Sequence, residues 1–516
     1  MVQITINGHK INVDEGTPVI KAAEMAGFKV PSLCYNEELG HFTSCMLCLV
    51  KDDSNSQLIP SCSVTATEGM SVTTEDAEIR EARQTGLELL LSEHVGDCQG
   101  PCQVACPAHM NIPQMNRLIA AGKFEAALKL VKKDIALPAV LGRICPAPCE
   151  GACHRRTVDS SVSICLLERF VGDENDLHPF EPLPLSGKRV AVIGAGPGGL
   201  AAAYYLQLNG YQTVLYDKNK RPGGLLRTEI KPEILPLNLL DREIDTILRT
   251  GVLFEGEKEI NSTLFNQLRD EFDALIVAMG TIGDEIKNWG IAVNSRGIDA
   301  DPNCYSTSLR GVFAIGNSLR TSRLAVRSVG QGKEVAWSVS QYLSGEEPTG
   351  EPQLFNSRFG KLVQQEISEY LKESVPYNRI ASDHVNSNGF TREEAILEAR
   401  RCLHCDCRDI DNCRLRDLSG RYMANQRHYA GNERKVMTKH FTSSIVYEPL
   451  KCIKCGICVR MTSKYQEEYG FSYIGRGFDV VIGVPFNESV ESGLAKTAEI
   501  VAKACPTGAL SVKDKL

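Results

Sequence analysis

Cysteine spacing is the first chemistry this sequence displays. Four cysteines stand as C-x10-C-x2-C-x13-C: Cys34, Cys45, Cys48 and Cys62. Cys98, Cys102 and Cys106 follow, the last before a proline, and then CPAPCEGAC supplies Cys145, Cys149 and Cys153. RCLHCDCRDIDNC carries Cys402, Cys405, Cys407 and Cys413, and CIKCGIC carries Cys452, Cys455 and Cys458 with a distant Cys505-Pro506. Thiolates grouped in this way ligate iron–sulfur clusters or zinc. A disulfide framework would call for a secreted chain, whereas MVQITINGHK reads as a strand and turn rather than a leader. Only Cys304 and Cys165 fit the description of scattered buried thiols.

The second chemistry is glycine-rich. VAVIGAGPGGLAAAYYL places Gly194, Gly196 and Gly199 between a strand and a helix, with Pro197 at the helix start. In a GxGxxG turn the first glycine permits the bend and the second lets a pyrophosphate approach the backbone. The third lets helix and strand pack, and the helix N-terminus faces the phosphates. Asp217 ends the next strand, where an acid would meet a ribose, with Lys218 beside it. RPGGLLR adds Gly224, Leu225 and Arg227, and GVFAIGN adds Gly316 and Asn317.

These groups must be positioned by several domains, since 516 residues exceed one core. The expected architecture is multidomain α/β and α+β. The expected segments are 1–78, a helical 79–175, a Rossmann-type 186–345, a connecting 346–440 with the Cys402–Cys413 motif, and 441–516. The family resemblances below imply a β-grasp [2Fe–2S] domain for the first, two clusters for the second, a truncated FAD domain for the third and a ferredoxin-like domain for the last. A net charge of -7 speaks against nucleic acid or an anionic membrane as partner. The apolar stretch from Val190 to Leu206 is broken by glycines and Pro197, so no membrane span is expected.

The N-terminal pattern resembles the ferredoxin domain of the large iron–sulfur subunit of respiratory complex I and of iron-only hydrogenases. That resemblance implies one [2Fe–2S] cluster on Cys34, Cys45, Cys48 and Cys62, with zinc as the competing occupant. The second segment is similar to the double-cluster domain of the glutamate synthase small subunit and of dihydropyrimidine dehydrogenase. It implies Cys98, Cys102 and Cys153 on one [4Fe–4S] cluster, and Cys106, Cys145 and Cys149 on another. The family's first group has one cysteine more, and His94 stands in its place; HVGDC also resembles the His-x3-Cys of the complex I subunit. The alternative is a solvated helix-end histidine. Glu168 falls where the family uses Glu or Gln, with Cys165 one turn away as its rival.

RPGGLLR and GVFAIGN resemble FAD-binding marks of the glutamate synthase small subunit and of disulfide-reductase-type proteins, with Asn317 where Asp is usual. Relatives insert an NADPH unit before the late strand, whereas here about thirty residues intervene, too few for that unit. The C-terminal segment again resembles complex I and hydrogenase ferredoxin domains, with one complete [4Fe–4S] set and the other lost, Met461 lying nearby. For Cys402–Cys413 a cluster is favoured over zinc. The expectation is a cytoplasmic FAD- and iron–sulfur electron-transfer subunit of a larger oxidoreductase. It would carry one FAD, one [2Fe–2S] cluster and three or four [4Fe–4S] clusters. Its implied partners are complex I flavin-subunit-like, hydrogenase or dehydrogenase subunits, and ferredoxin. Flavin-based electron bifurcation is one mode of action. The alternatives are a self-contained NAD(P)H-dependent reductase and a non-enzymatic scaffold.

Overall fold

The computed structural model describes all residues except 175–179, 359, 381–387, 432–434 and 514–516, so the boundaries expected at 175 and 516 lie outside the described residues. The chain is organised in two compact units. The first comprises Met1–Gln99, Gln353–Lys372 and Cys405–Leu516, and the second Gly100–Pro352 and Glu373–His404.

The first unit opens with strands Val2–Ile6 and His9–Val13, joined by Asn7 and Gly8 at φ of 48° and 81°. Asn-Gly in this left-handed pair makes the tight hairpin turn that matches strand twist. Alternation in VQITI buries Ile4 and Ile6. The first strand pairs parallel with Ser71–Thr73, which meets Leu49–Asp52 and then Gln57–Pro60, and the helix Val19–Met25 buries Val19, Ala22 and Ala23. This is the β-grasp arrangement. Asp76 caps the next helix, Ala77–Ser92, by accepting from the Ile79 N–H at 2.7 Å. The C-terminal part of the unit is a three-stranded sheet, Ile445–Tyr447 between His440–Phe441 and Leu510–Val512, with helices Ile457–Lys464 and Ala498–Ala504.

The second unit begins with short helices, among them Ile112–Ala120, Phe124–Lys132, Pro138–Ile144 and Ile164–Glu174. A five-stranded parallel sheet follows: Val312–Ala314, Ala274–Val277, Arg189–Ile193, Gln212–Tyr216 and Leu253–Glu255, in spatial order. Between Val277 and Val312 the described residues hold a 3-10 turn, Asp284–Trp289, and isolated bridges. No described helix is long and apolar enough to cross a membrane.

Two fully buried arginines tie the ends of the second unit together. Arg401 donates to the Ser160 and Ser161 carbonyls, the Tyr377 carbonyl and Glu398. Arg155 donates to the Arg401 carbonyl, and both arginines reach Asp159. These bonds fix Cys153 and Cys402, each one or two residues away. Arg155 grips Asp159 at 2.8 and 2.7 Å and holds its carboxyl down from 3.8 to about 2. A depressed carboxyl stabilises above its unfolded value and loses that contribution as pH falls through the folded one. Asp159→Asn is therefore expected to cost about 1–2 kcal/mol at neutral pH, discounted for partial exposure. The difference from the parent should close between about pH 4 and 2 in denaturant titrations.

Candidate functional site

All twenty cysteines are free. In the N-terminal domain the four thiols form two pairs. Cys34 and Cys45 lie Sγ to Sγ at 3.4 Å, and Cys48 bonds Cys62. The hydrogen bond with Cys45 pulls the Cys34 thiol down to about 4, and that with Cys48 pulls the Cys62 thiol down to about 7. Two thiolates for each of two irons is the donor set of a [2Fe–2S] rhomb. The Leu33 N–H donates to Cys45 at 3.4 Å.

Cys452, Cys455, Cys458 and Cys505 line one cavity walled by Tyr447, Ile457, Ile482 and Leu510. Left-handed Lys454 (φ 55°) and Gly456 (φ 72°) wrap the CIKCGIC loop around it. The Lys454 N–H donates to Cys452 at 3.3 Å, and those of Ile457, Val459 and Thr507 face the other sulfurs. Burial pushes all four thiols up, Cys452 to about 12. A dry pocket lined with N–H groups suits an anionic cluster whose iron replaces the thiol protons.

In the second unit Cys106, Cys145, Cys149 and Glu168 are brought together. Burial, then Cys145 and Cys149, raise the Glu168 carboxyl well above its ordinary value, and Glu168 in turn acts on Cys106. Its Oε1 is buried with no hydrogen-bond partner among the described residues. Cys165, the rival, donates to Cys145 and Cys149, drawing Cys145 down to about 7. A buried carboxylate oxygen without a donor is costly unless a cation meets it. Glu168→Ala is therefore expected to lower the iron content of this site and change its electron paramagnetic resonance signal. Cys165→Ser should leave both unchanged.

The remaining thiols fall into different company from their sequence neighbours. Cys402 is buried in the second unit beside Cys153, and Asn116 donates to it. Cys102 is buried on the helix Pro101–Ala105 of the same unit. Cys98, Cys405, Cys407 and Cys413 belong to the first unit. There the Cys407 N–H donates to the Cys98 carbonyl at 3.0 Å, while Cys405 lies near Tyr370 and Lys439. His94 is buried, not solvated, with Nδ1 3.0 Å from the Lys451 carbonyl oxygen. Cys304 is buried against Ser306. Among the described residues no group of three or more His, Cys, Asp and Glu side chains stands ready to hold a single metal ion.

The nucleotide motif sits where the parallel sheet turns into the helix Pro197–Leu208, with Gly196 as N-cap. A Cβ on Gly194 (φ 108°) would lie 2.4 Å from the Ala278 oxygen, and one on Gly199 1.8 Å from the Gly194 oxygen. A Cβ on Gly196 would meet nothing within 4 Å, so the space over the helix N-terminus is open to a phosphate. Asp217 accepts from the Ala195 N–H at 2.7 Å and from Asn219, so it also braces the glycine turn. Lys218 is exposed and Leu225 is half exposed. Gly224 (φ 50°) packs against Gly196. Arg227 donates to the Pro222 carbonyl and pairs with Asp241, which anchors its loop. The Gly316 N–H donates to Gln331, and Asn317 accepts from the Ser322 N–H. Sequence reading missed Asn219, Asp241 and Gln331, because none carries a motif of its own.

Comparison with known proteins fits this geometry. Residues 1–77 match the family model of a 2Fe-2S iron-sulfur cluster binding domain. Residues 91–178 match that of dihydropyrimidine dehydrogenase domain II, 4Fe-4S cluster, and residues 192–251 that of an NAD(P)-binding Rossmann-like domain. NADPH-Fe(3+) oxidoreductase subunit beta of Geobacter sulfurreducens is 32% identical over 297 residues, covering 55% of this chain and 42% of that protein. The chain is similar to oxidoreductase subunits. The Bacillus subtilis glutamate synthase [NADPH] small chain is 35% identical over 199 residues, covering 36% of this chain and 40% of its own. The Escherichia coli NAD-dependent dihydropyrimidine dehydrogenase subunit PreT is 37% identical over 186 residues, covering 35% and 45%. The chain spans less than half the length of these relatives.

Proposed function

We propose that the chain is an FAD- and iron–sulfur-containing electron-transfer subunit of a multi-subunit oxidoreductase. The observation that carries this reading is the adjacency of thiol groups inside the first unit. Cys455 feels the charge of Cys34, and Cys413 that of Cys505. Arg460, on the helix after Cys458, donates to the Cys34 carbonyl at 2.8 Å and to those of Leu39 and Gly40. In the second unit the Cys106 loop abuts the helix Ala325–Leu343, where a Cβ on Gly330 would lie 2.6 Å from the Pro107 oxygen.

Bound FAD supplies the exchange between electron pairs and the single electrons that clusters carry. The protein's part is to hold it. Gly196 leaves room for the pyrophosphate, Asp217 fixes the turn and reaches the ribose, and Asn317 meets the ribityl side. Free cysteines suit the reducing cytoplasm. The relatives, named as subunits or chains of NADPH- and NAD-dependent oxidoreductases, support partners that supply a nicotinamide site; ferredoxin is a further exchange partner. The short stretch between Val277 and Val312 supports placing that nicotinamide on a partner.

Anaerobically purified chain should contain flavin and several clusters, and NADPH alone should leave the flavin oxidised. Rapid bleaching by NADPH or NADH would make it a self-contained reductase. A colourless or zinc-only protein would end this reading. Splitting of electron pairs belongs to the same proposal, and inverted one-electron flavin potentials are its expected sign.

A further inference from the structure

We propose that His94, Cys98, Cys407 and Cys413 form one [4Fe–4S] site of their own in the first unit. This deepens the electron-transfer reading and rests on it. The sequence motifs pair Cys98 with Cys102 and Cys407 with Cys402, yet the fold gives those partners to the second unit. Cys98 and Cys407 are instead joined backbone to backbone, the Cys407 N–H donating to the Cys98 carbonyl at 3.0 Å. Cys413 feels both Cys407 and Cys98. All three sulfurs are buried.

The surroundings are those of an anion held by backbone. The Ser357 N–H donates to Cys98 Sγ at 3.4 Å, and N–H groups of Asp409 and Arg416 face Cys407 and Cys413. Gly508 presses so close that a Cβ there would lie 2.1 Å from Cys407 Sγ. Lys451 is buried and acts on Cys407, with Glu448 between it and the buried Lys439. Cationic neighbours offset the charge that four-iron clusters bring into a dry interior.

His94 supplies the fourth donor. Its segment is pinned by the Val95 N–H to the Leu450 carbonyl at 2.9 Å and by the Cys98 N–H to the Ser357 carbonyl at 3.1 Å. With Nδ1–H donating to the Lys451 carbonyl at 3.0 Å, Nε2 keeps its lone pair. The same Lys451 carbonyl accepts from Thr507 Oγ1 at 3.0 Å, and Thr507 Oγ1 lies 3.7 Å from Cys505 Sγ. A short hydrogen-bonded path therefore joins this site to the Cys452–Cys505 cavity.

The test uses the full chain, reconstituted anaerobically with iron and sulfide. Cys98→Ser, Cys413→Ser and their double variant should each remove the same single resonance signal and about four irons. Cys402→Ser with Cys407→Ser should remove two signals. Two signals lost in the first double variant, or one in the second, overturns the proposal. His94→Cys should keep the iron and lower the midpoint potential of that same signal, since anionic sulfur replaces neutral nitrogen; an unmoved potential removes His94 from the site. Should the serine variants lose every signal by unfolding, His94→Cys, which retains four donors, decides. Iron absent from the parent chain would sink the electron-transfer reading itself, whereas iron grouped otherwise sinks only this site.

Discussion

Gly199→Ala is expected to cost the chain more than about 3 kcal/mol and all of its nucleotide, while Gly196→Ala costs the nucleotide alone. The two positions are three residues apart in one turn. A methyl on Gly199 would stand 1.8 Å from the Gly194 oxygen, a backbone atom that cannot swing aside. Either the helix Pro197–Leu208 separates from the strand Arg189–Ile193 or the turn that brings Ala195 to Asp217 opens. A methyl on Gly196 meets nothing within 4 Å, and its φ of -75° suits any residue. Stability should therefore stay within about 1 kcal/mol, the scale of changing an N-cap glycine. Flavin retention should fall at least about tenfold, because the methyl occupies space the pyrophosphate needs. Denaturant midpoints and flavin content per chain separate the two outcomes. Equal stability loss in both variants would refute the assignment of that space to a phosphate.

Arg83→Met should be the most damaging single change in the first unit, at about 3–5 kcal/mol. Arg83 is fully buried on the helix Ala77–Ser92. It donates to the Leu47, Leu49 and Thr74 carbonyls at 2.9, 2.8 and 3.0 Å, to Glu75 and to Tyr422 Oη. Methionine fills much of the volume but leaves three carbonyls without donors in a dry interior. Two of them flank Cys48. The variant should therefore lose the N-terminal [2Fe–2S] absorption before it loses the second unit's clusters, followed by visible circular dichroism during a thermal ramp.

What the sequence made legible was local. Asn7-Gly8 announces its hairpin, VAVIGAGPGG its strand, turn and helix, and CPAPCEGAC with SICLLERF the company of Cys106, Cys145, Cys149 and Glu168. Each works through neighbours within a turn or two, or through a family pattern that covers them. The company of Cys98, Cys402 and Cys407 was not legible. Motif spacing ties each to the nearest cysteines along the chain, whereas the fold ties them across about three hundred residues. Arg83 reads as one more charge on an amphipathic helix, and only the carbonyls around it reveal its burial. Arg227, expected at the nucleotide from its place in RPGGLLR, pairs with Asp241, fourteen residues on, a partner that no motif announces.

The interrupted path of the first unit also sets an order of biosynthesis. Arg83 finds Tyr422 across 339 residues, and at about 5–20 residues per second a ribosome needs about 20–70 s to cover that interval. Through that wait the amino-terminal hairpin and its helix stand without their carboxy-terminal half, while Gly100–Pro352 and Glu373–His404 are being made. Cys34, Cys45, Cys48 and Cys62 are therefore all made before the insert, whereas Cys98 waits for Cys407 and Cys413, so the first unit is expected to take up its iron in an early and a late step.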